Sequence, residues 1–208
     1  MNVISAPPIC ARVNVFQIQG ALCRRKPLHA VLCSYLRCGE VFLRARAFGK
    51  PKLLRPASEC PIEFSVSYCR DRCLVAIARG GVLGIDVERR RWIGELDAIA
   101  SIYFTPGEAS WIKKLHANQK LEAFFACWTF KEAYSKAIGT GLLTPFHTFA
   151  LPAASRKQVG VNWATIHGRE WTHFRFEPWP GYTATVVVAG RLSSSAFQFQ
   201  DYYAGTCA

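Results

Sequence analysis

The stretch "QKLEAFFACWTFKEAYSKAIGTGL", residues 119–142, constrains this chain more than any other. Leu121, Phe124, Phe125 and Trp128 recur at i, i+3, i+4 and i+7, the spacing of a core-facing helical stripe, and Gly139 and Gly141 supply the stop. Continued in steps of four from Trp128, the stripe reaches Glu132 and then Lys136. A carboxylate and an ammonium are thereby aimed toward protein rather than bulk water, where charges are costly unless paired or used. An ion pair between Glu132 and Lys136 at i, i+4 is the plain explanation, worth about 0.2 to 0.5 kcal/mol on a surface.

A second run raises the same question. In "GGVLGIDVERR", residues 80–90, strand alternation sends Val82, Gly84, Asp86 and Glu88 to one face and Leu83, Ile85 and Val87 to the other. Two acids two residues apart on a strand lie about 6.6 Å apart and can lean onto one cation. Pairing with Arg89, Arg90 and Arg91 is the plain alternative. Taken together, two acids on a strand, a third on the apolar side of a helix and nearby lysines suit a hard divalent cation that shares phosphate oxygens with a substrate. Asp86, Glu88 and Glu132 are therefore read as ligands of Mg²⁺, with Mn²⁺ the alternative ion.

The remaining pattern mixes helices and strands. "PLHAVLCSYL", 27–36, has helical spacing behind Pro27. In "FTPGEASWIKKL", Thr105 is placed as an N-cap, Pro106 at the first helical position and Glu108 at the capping-box position. "IEFSVSY" and "CLVAIA" read as two strands across the turn Arg70 to Arg72, "AFGKPKL" (47–53) as a basic loop, and the segment ending in "YTATVVVAG" as mostly strand. The expectation is an α+β protein, with Gly80 and Gly81 as a hairpin turn or a junction.

Composition narrows the chemistry. With 208 residues and 50% hydrophobic content the chain can bury a core as one large domain or two small ones. No apolar run approaches the roughly 20 residues of a membrane span, and the start lacks a basic-then-apolar leader pattern, so a cytoplasmic protein with no membrane partner is expected. Nine cysteines without a CxxC pair and five histidines without ligand spacing disfavour a zinc site. The net charge of +12 favours an acidic partner. The basic residues carry no recognisable nucleic-acid-binding motif, so no nucleic-acid partner is expected.

"GIDVE" at 84–88 followed about 40 residues later by "WTFKEAYSK" at 128–136 resembles the two signature motifs of the surfactin-synthetase (Sfp) type 4′-phosphopantetheinyl transferases. "FGKPKL" at 48–53 is similar to that family's Gly-Lys-Pro loop, and "FSVSY" at 64–68 to its Phe-Asn-x-Ser-His segment, with Tyr68 in place of the histidine. The resemblance runs from about residue 24 to residue 190. It implies two similar α+β halves, 1–80 (short for the family) and 81–208, related by a pseudo-twofold. It also implies coenzyme A as substrate, an acidic apo carrier protein (acyl or peptidyl) as partner, and a monomer. The arm of coenzyme A would pass to a carrier serine with release of 3′,5′-ADP. Asp86, Glu88 and Glu132 would hold the metal; Lys136 would contact the phosphates; Arg24, Lys50, Ser67 and Tyr68 would bind the coenzyme. Glu108 matches a family acid given the role of general base, which competes with its capping role. Lys131 would face solvent or the carrier. A relative that binds coenzyme A or a carrier without transfer is the alternative.

Overall fold

The computed structural model describes residues 12–24, 27–44, 50–56 and 60–203, apart from the side chains of Arg24 and Leu142. The first sheet has the order β4-β5-β1-β10, formed by β1 (Val13–Gln19), β4 (Ile62–Cys69), β5 (Arg72–Arg79) and β10 (Phe197–Asp201). The second has the order β6-β9-β8-β7, formed by β6 (Leu83–Arg89), β7 (Gly160–Ile166), β8 (Arg169–Phe176) and β9 (Tyr182–Ala189). Helices α1 (Ala21–Arg24) and α2 (Leu28–Leu36) follow β1, while α3 (Leu96–Tyr103), α4 (Pro106–Lys113) and α5 (Ala117–Ile138) follow β6. The architecture is α+β, and one plan is used twice. A first strand runs into a helical excursion, and an antiparallel hairpin returns so that its last strand, β5 or β9, pairs with the first.

Alternation along the strands builds the layers. Leu83, Ile85 and Val87 of β6 and Ala184, Val186 and Val188 of β9 meet Val13, Val15, Leu74, Ala76 and Ala78, making an apolar layer between the two sheets. The opposite face of the first sheet, with Phe16, Ile18, Val75 and Ile77, is covered by Val31 and Leu32 of α2. The opposite face of the second is covered by α5, which is buried around most of its circumference: Ala123, Phe124, Phe125, Cys127, Phe130, Tyr134 and Ala137 are all in the core. The apolar surface of α5 is thus much wider than the stripe read from Leu121, Phe124, Phe125 and Trp128, because Phe149, Leu151 and Trp171 close on its other side.

Gly84 sets how closely helix and strand approach. A Cβ there would stand 2.0 Å from the Ala133 carbonyl oxygen and 2.5 Å from the Ala137 nitrogen, distances that only a missing side chain allows.

Gly80 and Gly81 both have positive φ and carry the chain from β5 into β6 of the other sheet. The chain thus passes from the first sheet to the second near residue 80, and β10 returns to pair in parallel with β1. Of the basic loop read at 47–53, residues 47–49 lie outside the described residues, and Lys52–Arg55 forms a strand, β3, paired with β2 (Phe42–Arg44).

Candidate functional site

The site lies where β4, β6 and α5 meet. β6 is an edge strand of its sheet, and an edge presents unpaired backbone N–H groups that need partners. β4 supplies them from side chains: Ile85 N–H donates to Ser65 Oγ at 3.1 Å, Val87 N–H to Ser67 Oγ at 3.3 Å, and Arg89 N–H to Cys69 Sγ at 3.3 Å. Small residues at alternate positions of "FSVSYC" thus dock one half of the protein onto the other. They also fix Asp86, because Ser67 Oγ donates to its Oδ1 at 2.8 Å.

Gly84, Asp86 and Glu88 share the face beneath α5, and the helix brings Glu132 and Lys136 over it. Lys136 Nζ lies 2.7 Å from Asp86 Oδ1 and 3.0 Å from Ser67 Oγ. The acids are close enough to disturb one another. Burial first, then the charge of Asp86, pushes the Glu88 carboxyl up to about 7, and the same two causes raise Glu132. Glu88 also lies 3.7 Å from Arg91 and 4.0 Å from the Cys69 thiol. The plain pairing with arginine therefore holds for Glu88, while Asp86 takes Lys136 instead.

The donor set suits a hard divalent cation. Asp86 is 4% exposed, and its Oδ2 has no hydrogen-bond partner among the described residues. A buried carboxylate oxygen in that position is costly, and a cation shared with Glu88 and Glu132 would relieve both the orphaned oxygen and the repulsion among the acids. The three are not drawn together around a common point: among the described residues no group of three His, Cys, Asp or Glu side chains is arranged to hold a metal. Beside Glu88 opens a cavity of about 280 Å³ lined by Trp92, Ile93, Ile99, Phe124, Phe125 and Trp128.

Other expected site residues are elsewhere. Glu108 and Lys131 are both fully buried and form an ion pair at 2.9 Å. Glu108 is the N3 residue of the capping box of α4, accepting from Thr105 N–H at 3.0 Å, and its other oxygen accepts from Leu151 N–H at 2.8 Å. Lys131 donates to the carbonyls of Phe146, at 2.7 Å, and Phe149. The reading of Lys131 as solvent-facing or at a carrier interface is corrected: it lies one residue round α5 from Glu132, on the side that faces the core. Glu108 has no exposed surface from which to meet a substrate, and it is not brought to Asp86, Glu88 and Glu132.

Ser67 and Tyr68 point to opposite faces of β4. Tyr68 is 44% exposed, with its phenol raised by burial and by the neighbouring Cys73. Lys50 is half-buried, paired with Glu63 at 3.2 Å and donating to the Leu83 carbonyl at 3.1 Å, at the start of β6 rather than at the acids. The side chain of Arg24 lies outside the described residues. Cys69, Ser65 and Arg91 were not singled out as site residues. The alternating small polar residues of β4 were the available signal for the first two.

Comparison with known proteins agrees with these motifs. Residues 82–203 match the family model described as the 4′-phosphopantetheinyl transferase superfamily. The chain is 34% identical over 117 residues to the 4′-phosphopantetheinyl transferase HetI of Nostoc sp., covering 55% of this chain and 49% of that protein. It is 34% identical over 111 residues to the 4′-phosphopantetheinyl transferase gsp of Aneurinibacillus migulanus, covering 53% and 43%. To the 4′-phosphopantetheinyl transferase Sfp of Bacillus subtilis it is 24% identical over 151 residues, covering 72% and 64%. The chain thus spans about half the length of the first two relatives. Among the described residues no helix is long and apolar enough to cross a membrane.

Proposed function

Because the chain belongs to the 4′-phosphopantetheinyl transferase superfamily, we propose that it transfers the 4′-phosphopantetheine arm of coenzyme A to a serine of an apo carrier protein, releasing 3′,5′-ADP. The observation that carries this reading is the meeting of Asp86 and Glu88 from β6 with Glu132 and Lys136 from α5, in one half-buried cluster. The motif pair favours the Sfp type within the superfamily.

Asp86, Glu88 and Glu132 would hold Mg²⁺ or Mn²⁺, which when bound supplies charge neutralisation for a pyrophosphate. The chain's own residues do the rest. Ser67 and the backbone of β6 fix Asp86. Lys136, on a flexible stem with 28% of its side chain exposed, is the donor suited to the phosphates. The serine hydroxyl needs a proton acceptor within hydrogen-bond reach, and we assign Glu132. Burial raises its carboxyl, and Glu88 already faces Arg91. The aromatic cavity beside Glu88 suits the apolar length of the pantetheine arm. The net charge of +12 suits an acidic carrier, and a cytoplasmic monomer accords with these substrates.

Intact-mass analysis of several apo carriers incubated with the protein, coenzyme A and Mg²⁺ tests the reading. One carrier should gain the mass of the arm, and Asp86→Ala should abolish the gain. Binding of coenzyme A with no transfer to any carrier would overturn it in favour of a non-catalytic relative.

A further inference from the structure

We propose that Lys136 is an internal counter-ion that a divalent cation must displace, and that its release from Asp86 is what frees it for the anionic substrate. This rests on the function proposed above and adds a physical coupling between metal and coenzyme.

Three observations carry it. The ammonium occupies the acids now, at 2.7 Å from Asp86 Oδ1 and 3.0 Å from Ser67 Oγ, and its charge also reaches Glu88 and Glu132. The two partners differ in freedom. Asp86 is held by Ser67, itself fixed by Val87 N–H, and its side chain is 5% exposed, whereas the lysine side chain is 28% exposed on an unbranched stem. If the pair opens, the lysine moves. Finally, two cations, Lys136 at Asp86 and Arg91 at 3.7 Å from Glu88, face three acids, and Asp86 Oδ2 has no partner among the described residues. A monovalent ammonium reaching one oxygen leaves this cluster under-neutralised. A divalent cation satisfies it better and evicts the lysine.

The consequence is a thermodynamic link. A metal that pushes Lys136 off Asp86 delivers a cation to the adjacent anion site, so the metal should strengthen coenzyme binding and the coenzyme should strengthen metal binding by the same factor. Lys136 would be a positioning residue for the metal before it becomes a contact of the substrate.

The test measures binding rather than turnover. Mn²⁺ is titrated into the protein at pH 8 and followed by loss of the free-ion electron paramagnetic resonance signal, without and with coenzyme A. Wild type is compared with Lys136→Met, Lys136→Gln and Lys136→Arg, with thermal melts to confirm folding. Without coenzyme, the Met and Gln variants should bind Mn²⁺ about tenfold more tightly, equivalent to about 1.4 kcal/mol, and Lys136→Arg should not. Coenzyme A should tighten Mn²⁺ binding in wild type and lose most of that effect in the Met and Gln variants. Metal binding unchanged or weakened in folded Met and Gln variants, or coupling that survives in them, overturns the proposal. If wild type nevertheless transfers the arm in the mass assay, the proposed function stands without it. A wild type that neither binds Mn²⁺ nor transfers sinks both.

Discussion

Replacing Lys131 by methionine separates the two roles that the sequence leaves open for Glu108. Lys131 and Glu108 are both fully buried and 2.9 Å apart, and the ammonium also donates to two carbonyls and lies 4.6 Å from the centre of the Phe149 ring. Burial lowers the lysine's pKa, and the Glu108 charge only partly restores it. Methionine fills similar space but leaves the Glu108 carboxylate buried without a cation. Removing one partner of such a pair costs about 3 to 5 kcal/mol. For a domain of this size each kcal/mol moves the melting temperature by about 2 to 4 °C, so Lys131→Met should melt roughly 6 to 20 °C lower. Glu108→Gln should lose less, because a lysine already lowered by burial can shed its proton. The double variant should recover part of the Lys131→Met loss, since no uncompensated charge is left. Calorimetric melts of wild type, both single variants and the double form the cycle. Carrier modification at 20 °C should fall less than about threefold per folded molecule in Glu108→Gln. A general base removed would instead cost about 100- to 10,000-fold. A melting temperature unchanged in Lys131→Met, or a collapse of activity in stable Glu108→Gln, would refute the structural role.

Two further outcomes follow from the packing and charge of the site. Gly84→Ala puts a methyl group into the α5 backbone; urea unfolding should show a loss of about 2 to 4 kcal/mol, and Mn²⁺ binding should disappear even where the variant folds. Glu88 has a folded pKa raised to about 7 from 4.5. Between these values the folded state binds more protons than the unfolded state, so the stability contributed by the protonated group is lost as pH rises through about 7. Glu88→Gln should therefore melt higher than wild type at pH 8 and show little gain at pH 4.5, with the difference at pH 8 shrinking when Mg²⁺ is added.

The elements most legible in the sequence were those whose local chemistry and packing agree. Thr105, Pro106 and Glu108 announce the start of α4, Gly139 ends α5 in the left-handed conformation, and the alternation of "VLGIDVE" sends Asp86 and Glu88 to one face. Pairing choices were less legible. Stepping by four along α5 reached Glu132 and Lys136 but left Lys131, one residue away, on a face that looked external. The core of Phe104, Phe146 and Phe149 that buries it is assembled from segments distant in sequence. The alternating Ser65, Ser67 and Cys69 looked like an ordinary half-polar strand, because nothing local reveals that their partners are backbone N–H groups about 20 residues on. Ser67 and Tyr68 were assigned to one ligand although a strand must send neighbours to opposite faces. β1 is not among the expected strands, although Val13, Val15, Phe16 and Ile18 are its buried positions.

The parallel pairing of Val13–Gln17 with Phe197–Asp201 has a consequence for how the protein comes into being. On a ribosome, β1 emerges well before β10, and one side of it must wait until residues near 200 leave the exit tunnel. Until then the first sheet carries a bare edge, the kind of surface that recruits other strands or a chaperone. Once β10 closes the edge, the pairing ties Val13–Gln17 to Phe197–Asp201. Heating should then open both sheets in one cooperative event, leaving no stage in which the half bearing Ser67 survives without the half bearing Asp86.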